Sequence, residues 1–299
     1  MNFRQIENIL IIVFLALNIF LAYILFGKSF METTSIQSNI NIQQELKNNE
    51  VTMNFSPSSD DVQLPLIAGK QSRLSTDGGD RAKEQKLEWR DSTEELYGEF
   101  KNPIKLPALT ENNVENPTQL SPEALKPIED LLASGAIEHG QEYHFLIYNR
   151  QRKIIYYGQN TYADRLAMDS SAELLFHLND QNEIVSYELS HVHDVSPQGE
   201  ERPLITQKNA IDNLYLYNEI PSKANILSAN ICYQQTLSVD DIIVFKPVWA
   251  IMMQLDDHTT KTTFVDAING TIVQNAPASQ PVNPSSDGDK AGSQNRQAA

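Results

Sequence analysis

Residues 204–233, LITQKNAIDNLYLYNEIPSKANILSANICY, decide the fold class. Thr206 can cap a helix running to about Tyr217, because its hydroxyl can accept from an otherwise unpaired amide of the first turn. Ala210, Ile211, Leu214 and Tyr217 recur at helical spacing and give that helix an apolar stripe. Pro221 ends it. Strands are predicted over Ile226–Gln234, Asp241–Phe245, Val248–Leu255 and Thr262–Ala267. Asn269-Gly270 predicts a tight turn into Thr271–Val273, since both residues tolerate positive φ. One helix followed by antiparallel strands is an α+β unit, with the helix on one face of the sheet. From Asn275 onward the chain offers almost nothing to bury and reads as a disordered tail.

Upstream, Tyr143–Tyr148 (YHFLIY), a turn at Asn149–Arg152 and Lys153–Tyr157 (KIIYY) form a hairpin signal. Glu173–Leu178 (ELLFHL), the turn 179–182 and Glu183–Val192 (EIVSYELSHV) repeat it. Before these strands, Ser121 and Pro122 open a helix as cap and first helical residue. Ala124, Leu125, Ile128, Leu131 and Leu132 form its stripe, and Gly135 stops it. Asn102–Pro117 reads as an irregular connection and Gln85–Phe100 as partly helical. Ser56–Glu84 is rich in Ser, Asp and Gly, with an isolated strand at Leu64–Ile67. Thr33–Asn49 reads as a membrane-proximal helix, followed by a short strand over Val51–Phe55.

The chain begins with a different signal. Ile9–Phe26, ILIIVFLALNIFLAYILF, carries no charge, and Asn18 is its one strongly polar side chain. About 18 helical residues cover roughly 27 Å, close to the hydrocarbon thickness of a bilayer. The segment is therefore expected to span a membrane once. A cleaved signal peptide fits less well, because the exit Phe26-Gly27-Lys28-Ser29-Phe30 has no Ala-x-Ala-like site. The slight excess of positive charge before the span favours a cytoplasmic N-terminus, with the rest of the chain extracytoplasmic. Inside a bilayer, Asn18 either bonds its own backbone or bonds across to another helix. Phe14, Leu21, Ala22 and Leu25 lie on or near its face and, with Asn18, are the candidate partner contacts in the membrane.

The 299 residues carry a net charge of −16 and a single cysteine, Cys232. The acidic balance argues against nucleic acid and against lying on anionic lipid, both of which want basic surfaces. One cysteine forms no intramolecular disulfide and suits the outer face of a bacterial membrane.

Signals for chemistry are weak. His191 and His193 are two apart, which on one strand would aim both imidazoles the same way, as a zinc pair. A third ligand would have to come from His177, His144 or a carboxylate. The plain alternative is a strand end emerging into solvent. Asp256-Asp257-His258 reads as a solvated turn, Cys232 as a small buried side chain, and Trp249 as core. The motifs of hydrolases, P-loops, zincins and dinucleotide folds are missing. No catalytic residue, cofactor or metal ligand is assigned, and the chain is expected not to be an enzyme.

Four stretches carry a resemblance. They are the opening MNFRQIENILIIVFLALNIFL, the paired strands YHFLIYNRQRKIIYYGQNTY (143–162), residues 204–233, and KPVWAI (246–251) followed by FVDAINGTIV (264–273). Together they resemble the YycI (WalI) family, and the C-terminal unit is similar to PepSY-type modules. The resemblance implies an α+β, PepSY/YycH-like extracytoplasmic region behind a membrane anchor. It implies partners too: a WalK-type sensor histidine kinase of the WalK/WalR (YycG/YycF) two-component system, and a YycH-type sister protein. Its implied role is regulation of the kinase and so of cell-wall metabolism. The alternatives are a PepSY-like inhibitor or chaperone module for a cell-envelope peptidase, and a scaffold binding polysaccharide through exposed tyrosines. The expected organisation is a cytoplasmic N-terminus (1–8), an anchor (9–28), a partly irregular segment (29–120), two α+β units (121–202 and 203–274) and the tail (275–299).

Overall fold

Both helices that the sequence caps begin where predicted. In the computed structural model, Ser121 Oγ accepts from Ala124 N at 3.2 Å and Thr206 Oγ1 from Asn209 N at 3.2 Å. Residues 11–21, 41–77, 84–109, 114 and 116–273 are described. The helices are α1 (11–21), α2 (Ile42–Asn48), α3 (Pro122–Ala133) and α4 (Gln207–Leu216). The strands are β1 (Thr52–Met53), β2 (Gln63–Gln71), β3 (Gln85–Arg90), β4 (Glu95–Lys105), β5 (Tyr143–Asn149), β6 (Ile154–Tyr162) and β7 (Arg165–Leu166). They continue as β8 (Glu173–Leu178), β9 (Glu183–Leu189), β10 (Val192–Pro203), β11 (Asn225–Val239), β12 (Ile242–Gln254), β13 (Thr260–Asp266) and β14 (Ile272–Val273). The expectations for residues 1–8 and for the tail lie outside the described residues, as do Ala22 and Leu25.

The chain divides into two units, each drawn from separated stretches. The first holds residues up to Leu66, Pro197–Cys232 and Lys246–Val273. The second holds Ile67–Ser196 and Tyr233–Phe245. In the first unit, β12 pairs antiparallel with β13 from Val248↔Asp266 to Gln254↔Thr260, and β13 with β14. β1 runs parallel to β11, pairing Thr52 with Asn225. Helix α4 buries Ala210, Ile211 and Leu214. Tyr217, predicted on that stripe, is exposed, because the helix ends at Leu216 and the chain turns away. Trp249 is core, as expected, and its indole Nε1 donates to Ile205 O at 2.9 Å. The Asn269-Gly270 turn forms with Gly270 at φ 75°, where a side chain would be strained.

The second unit holds a sheet in the order β3-β4-β9-β8-β6-β5, with β7 on β6. Helix α3 contributes Ala124, Ile128 and Leu132 to its core, beside Leu96, Ile155, Phe176, Tyr187 and Leu189. In the same unit β2 pairs with β12, Ile67↔Phe245 to Lys70↔Ile242, so Leu64–Ile67 is not an isolated strand.

Three local readings are corrected. Gln85–Phe100 is a hairpin rather than a partial helix: Leu87, Trp89 and Leu96 alternate with charged neighbours, and the turn takes Glu94 to φ 56°. The irregular connection starts later than predicted, since β4 continues to Lys105. Pro103 is tolerated because it falls where β4 and β9 slip register between Glu99 and Ile104. The two strands predicted around Pro247 are the single strand β12. The missing Pro247 amide falls beside Phe245, where pairing with β2 ends, and before Val248, where pairing with β13 begins.

Candidate functional site

Three regions bear on function. The first is α1. Every residue of 11–21 is exposed, including Ile12 (66%), Phe14 (64%) and Leu21 (53%). Asn18 Nδ2 donates to Phe14 O at 2.9 Å, so its amide is satisfied on its own helix. Among the described residues, no helix is long and apolar enough to cross a membrane.

The second is a groove in the first unit, about 310 Å³ in volume. Leu46 of α2, Val51, Met53 and Ile211 of α4 give it apolar walls, and Lys208 and Asp212 stand at its edge.

The third is a polar cluster in the second unit, which sequence reasoning missed. His191 follows β9 and is buried, with its side chain 3% exposed. Its Nε2 lies 3.0 Å from Glu142 Oε2 and its Nδ1 lies 2.7 Å from Ser72 Oγ. Glu142 closes the short 3₁₀ turn Gly140–Glu142. Its other oxygen meets His139 Nδ1 at 3.0 Å. His139 holds a left-handed backbone, φ 55°, and stacks on His191 with ring centroids 3.9 Å apart at 13°. Gln159 Nε2 donates to Glu142 Oε2 (3.0 Å) and to Val192 O (2.7 Å), and its carbonyl accepts from Val192 N (3.0 Å).

Burial pushes the His191 imidazole below its ordinary value, and the Glu142 hydrogen bond only partly offsets this. Burial pushes the Glu142 carboxyl up, but the hydrogen bonds from His191, Gln159 and His139 outweigh it and hold the group below its ordinary value. With His191 neutral at pH 7, this contact is a hydrogen bond from Nε2–H to a carboxylate, and the Ser72 hydroxyl donates to Nδ1. The ligand-type atoms of His139, Glu142 and His191 all lie within 4.8 Å of one another.

The sequence-predicted groups fall elsewhere. His193 does not share a face with His191: a break separates β9 from β10, and His193 is exposed beside Asp194 at 3.1 Å. His177 lies 3.5 Å from Glu188 Oε2, and His144 is exposed. Cys232 is buried, and Asp256-Asp257-His258 forms an exposed turn, both as expected. Glu142 sits 49 residues from His191 and carried no sequence signal for the pairing.

Elsewhere in the second unit, Asp169 is 1% exposed and Glu173 is only partly exposed. Burial, then the charges of Asp169, Glu95 and Glu188, push the Glu173 carboxyl up to about 8.

Comparison with known proteins gives one family and several distant folds. No curated protein sequence matches the chain significantly. Among solved structures, an uncharacterized protein from Eubacterium rectale is 10% identical, with a TM-score of 0.43, over 76% of this chain and 91% of its own. YycH from Bacillus subtilis is 11% identical, with a TM-score of 0.43, over 76% of this chain and 62% of its own length. The C-terminal domain of YpeB from Bacillus megaterium is 8% identical, with a TM-score of 0.34, over 78% and 96%. The family described as YycI protein matches residues 31–268, which takes in α2, α3, α4 and all but the last short strand. The chain therefore belongs to the YycI family.

Proposed function

We propose that this chain is a non-enzymatic, single-pass regulator of a WalK-type sensor histidine kinase. It works beside a YycH-type sister protein and so affects cell-wall metabolism. Its N-terminus lies in the cytoplasm, the Ile9–Phe26 segment crosses the cell membrane, and both α+β units lie outside. Family membership supports the regulatory role. The observation that carries the membrane route is α1, eleven consecutive exposed residues that are apolar except for Asn18. Water does not tolerate such a surface; lipid tails or neighbouring apolar helices do.

Regulation requires that this protein bind one signalling state of the kinase better than the other. The candidate contact face is Phe14, Asn18, Leu21, Ala22 and Leu25. In the isolated helix the Asn18 amide bonds Phe14 O. It has a second donor hydrogen and a carbonyl left for a partner. Such interhelical bonds are worth about 1 kcal/mol, roughly fivefold in affinity. The test is Asn18→Leu in the full chain. Recovery of the kinase with this protein from solubilised membranes should fall several-fold, along with output from a WalR-controlled promoter. Unchanged recovery and unchanged output would remove this face from the account.

A further inference from the structure

We propose that His139, Glu142 and His191 form a binding site for a divalent transition-metal ion of the zinc class. Two imidazoles and one carboxylate are a donor set that suits zinc and its neighbours in the first transition row. Magnesium and calcium prefer oxygen ligands throughout. The three ligand atoms lie within 4.8 Å of one another; because the His139 and His191 rings stack at 3.9 Å, the exposed His139 ring must turn out of the stack for both imidazoles to reach the about 2.0–2.2 Å that zinc requires.

Four further features fit an ion there. A metal-ligating histidine is characteristically held through its other ring nitrogen, and Ser72 Oγ sits 2.7 Å from His191 Nδ1. A serine hydroxyl both donates and accepts. When it accepts from Nδ1–H, the Nε2 lone pair of His191 is released towards Glu142. The Glu142 carboxylate is pinned by Gln159, a 2%-exposed amide that is itself locked to both backbone groups of Val192. His139 is delivered by a left-handed backbone that is uncommon for a non-glycine residue. Finally, the side chains of His139 and Glu142 are 41% and 43% exposed, so an ion enters from solvent and a water completes its shell.

Binding needs no redox or covalent step. The ion takes the lone pair of one nitrogen of each neutral imidazole; the proton that nitrogen shared with Glu142 moves to the ring's other nitrogen, which in His191 is Nδ1, donating to Ser72 Oγ, so no net proton is released. It would tie the turn before β5 to the segment after β9, adding to the Glu142–His191 hydrogen bond and the His139–His191 stack.

The test uses the full chain in detergent, without a polyhistidine tag, stripped of metal and titrated with Zn²⁺ by calorimetry. In parallel, Co²⁺ is titrated and its visible absorption followed. One equivalent of either ion should bind saturably, and the Co²⁺ spectrum should show imidazole-ligand bands. Because His191 is buried, the informative variants are the exposed His139→Ala and Glu142→Gln. Each should weaken binding by more than about tenfold, the scale on which even outer-shell partners act. Ser72→Ala should weaken it by about tenfold. His193→Ala, whose imidazole lies outside the cluster, should change nothing. Absence of saturable binding overturns the proposal. Equal affinity in wild type, H139A and E142Q overturns it as well, since the ion would then sit elsewhere.

Discussion

The first unit places Lys246 Nζ 2.8 Å from Asp266 Oδ2, and that carboxylate's other oxygen accepts from the amides of Ile268 and Asn269. In the second unit, burial and then the charges of Asp169, Glu95 and Glu188 raise the charging cost of Glu173. Arg90, 2.8 Å from Glu188, and His177 answer only part of that charge. Burying a charge beside its opposite is tolerable; burying one among like charges is not, and the Glu173 carboxyl is pushed up by burial first and by its neighbours second. The first unit should therefore hold its stability across neutral pH, while the second should lose some as pH rises.

The largest effect should come from breaking the compensated pair. Lys246→Met leaves Asp266, 5% exposed, without its cation and should cost about 3 kcal/mol in urea unfolding. This is the low end for a broken buried pair, because two backbone donors remain. A variant as stable as wild type would mean the ion pair is dispensable.

Glu173→Gln should act in the opposite direction. The folded-state value of Glu173 lies near 8, above the ordinary carboxyl value of 4.5. Between those values the folded state binds more protons than the unfolded chain, so stability falls as pH rises through that window, by at most about 1.4 kcal/mol per unit. The glutamine variant should flatten that slope and melt higher than wild type at pH 8. Identical pH profiles would show that Glu173 is already ionised.

A third, smaller effect probes packing. Gly98 lies opposite Tyr187 in the β4–β9 pairing, and a Cβ there would come within 2.2 Å of the Tyr187 ring. Tyr187 is fully buried against Phe100 and Phe176, so the ring has little room to yield. Gly98→Ala should cost about 1–3 kcal/mol, read as a drop in thermal midpoint. The smallest effects are the helix caps: Ser121→Ala in the second unit and Thr206→Ala in the first should each cost about 1 kcal/mol. If the caps cost unequal amounts, the two helices depend on packing to different degrees.

Residues whose signals are local could be read before the fold was seen. The caps at Ser121 and Thr206, the stripe of α3, the hairpin strands β5, β6, β8 and β9, and the Asn269-Gly270 turn all follow from neighbours along the chain. The β3–β4 hairpin is obscured in the sequence because Lys86, Glu88 and Arg90 are also good helix formers; pairing with β4, itself paired with β9, holds them extended. β10, with the text VHDVSPQGEERP, is mostly exposed and has no apolar alternation to announce it. The cluster joins a local pair, His139 and Glu142, to His191, 49 residues beyond Glu142, and single-sequence spacing cannot express that second contact. The two-residue spacing of His191 and His193 puts them on one face only in a continuous strand, and a break separates β9 from β10 there.

We propose that the regulatory message passes through the Ile9–Phe26 segment, and exchanging that segment tests the proposal most directly. The segment Ile9–Phe26 would be exchanged for an unrelated apolar helix of equal length, and transcription from a WalR-controlled promoter compared with the original protein. The account predicts that the exchanged protein stays folded and membrane-bound but no longer alters transcription. Full regulation by the exchanged protein would contradict it and move the regulatory contact to the two α+β units.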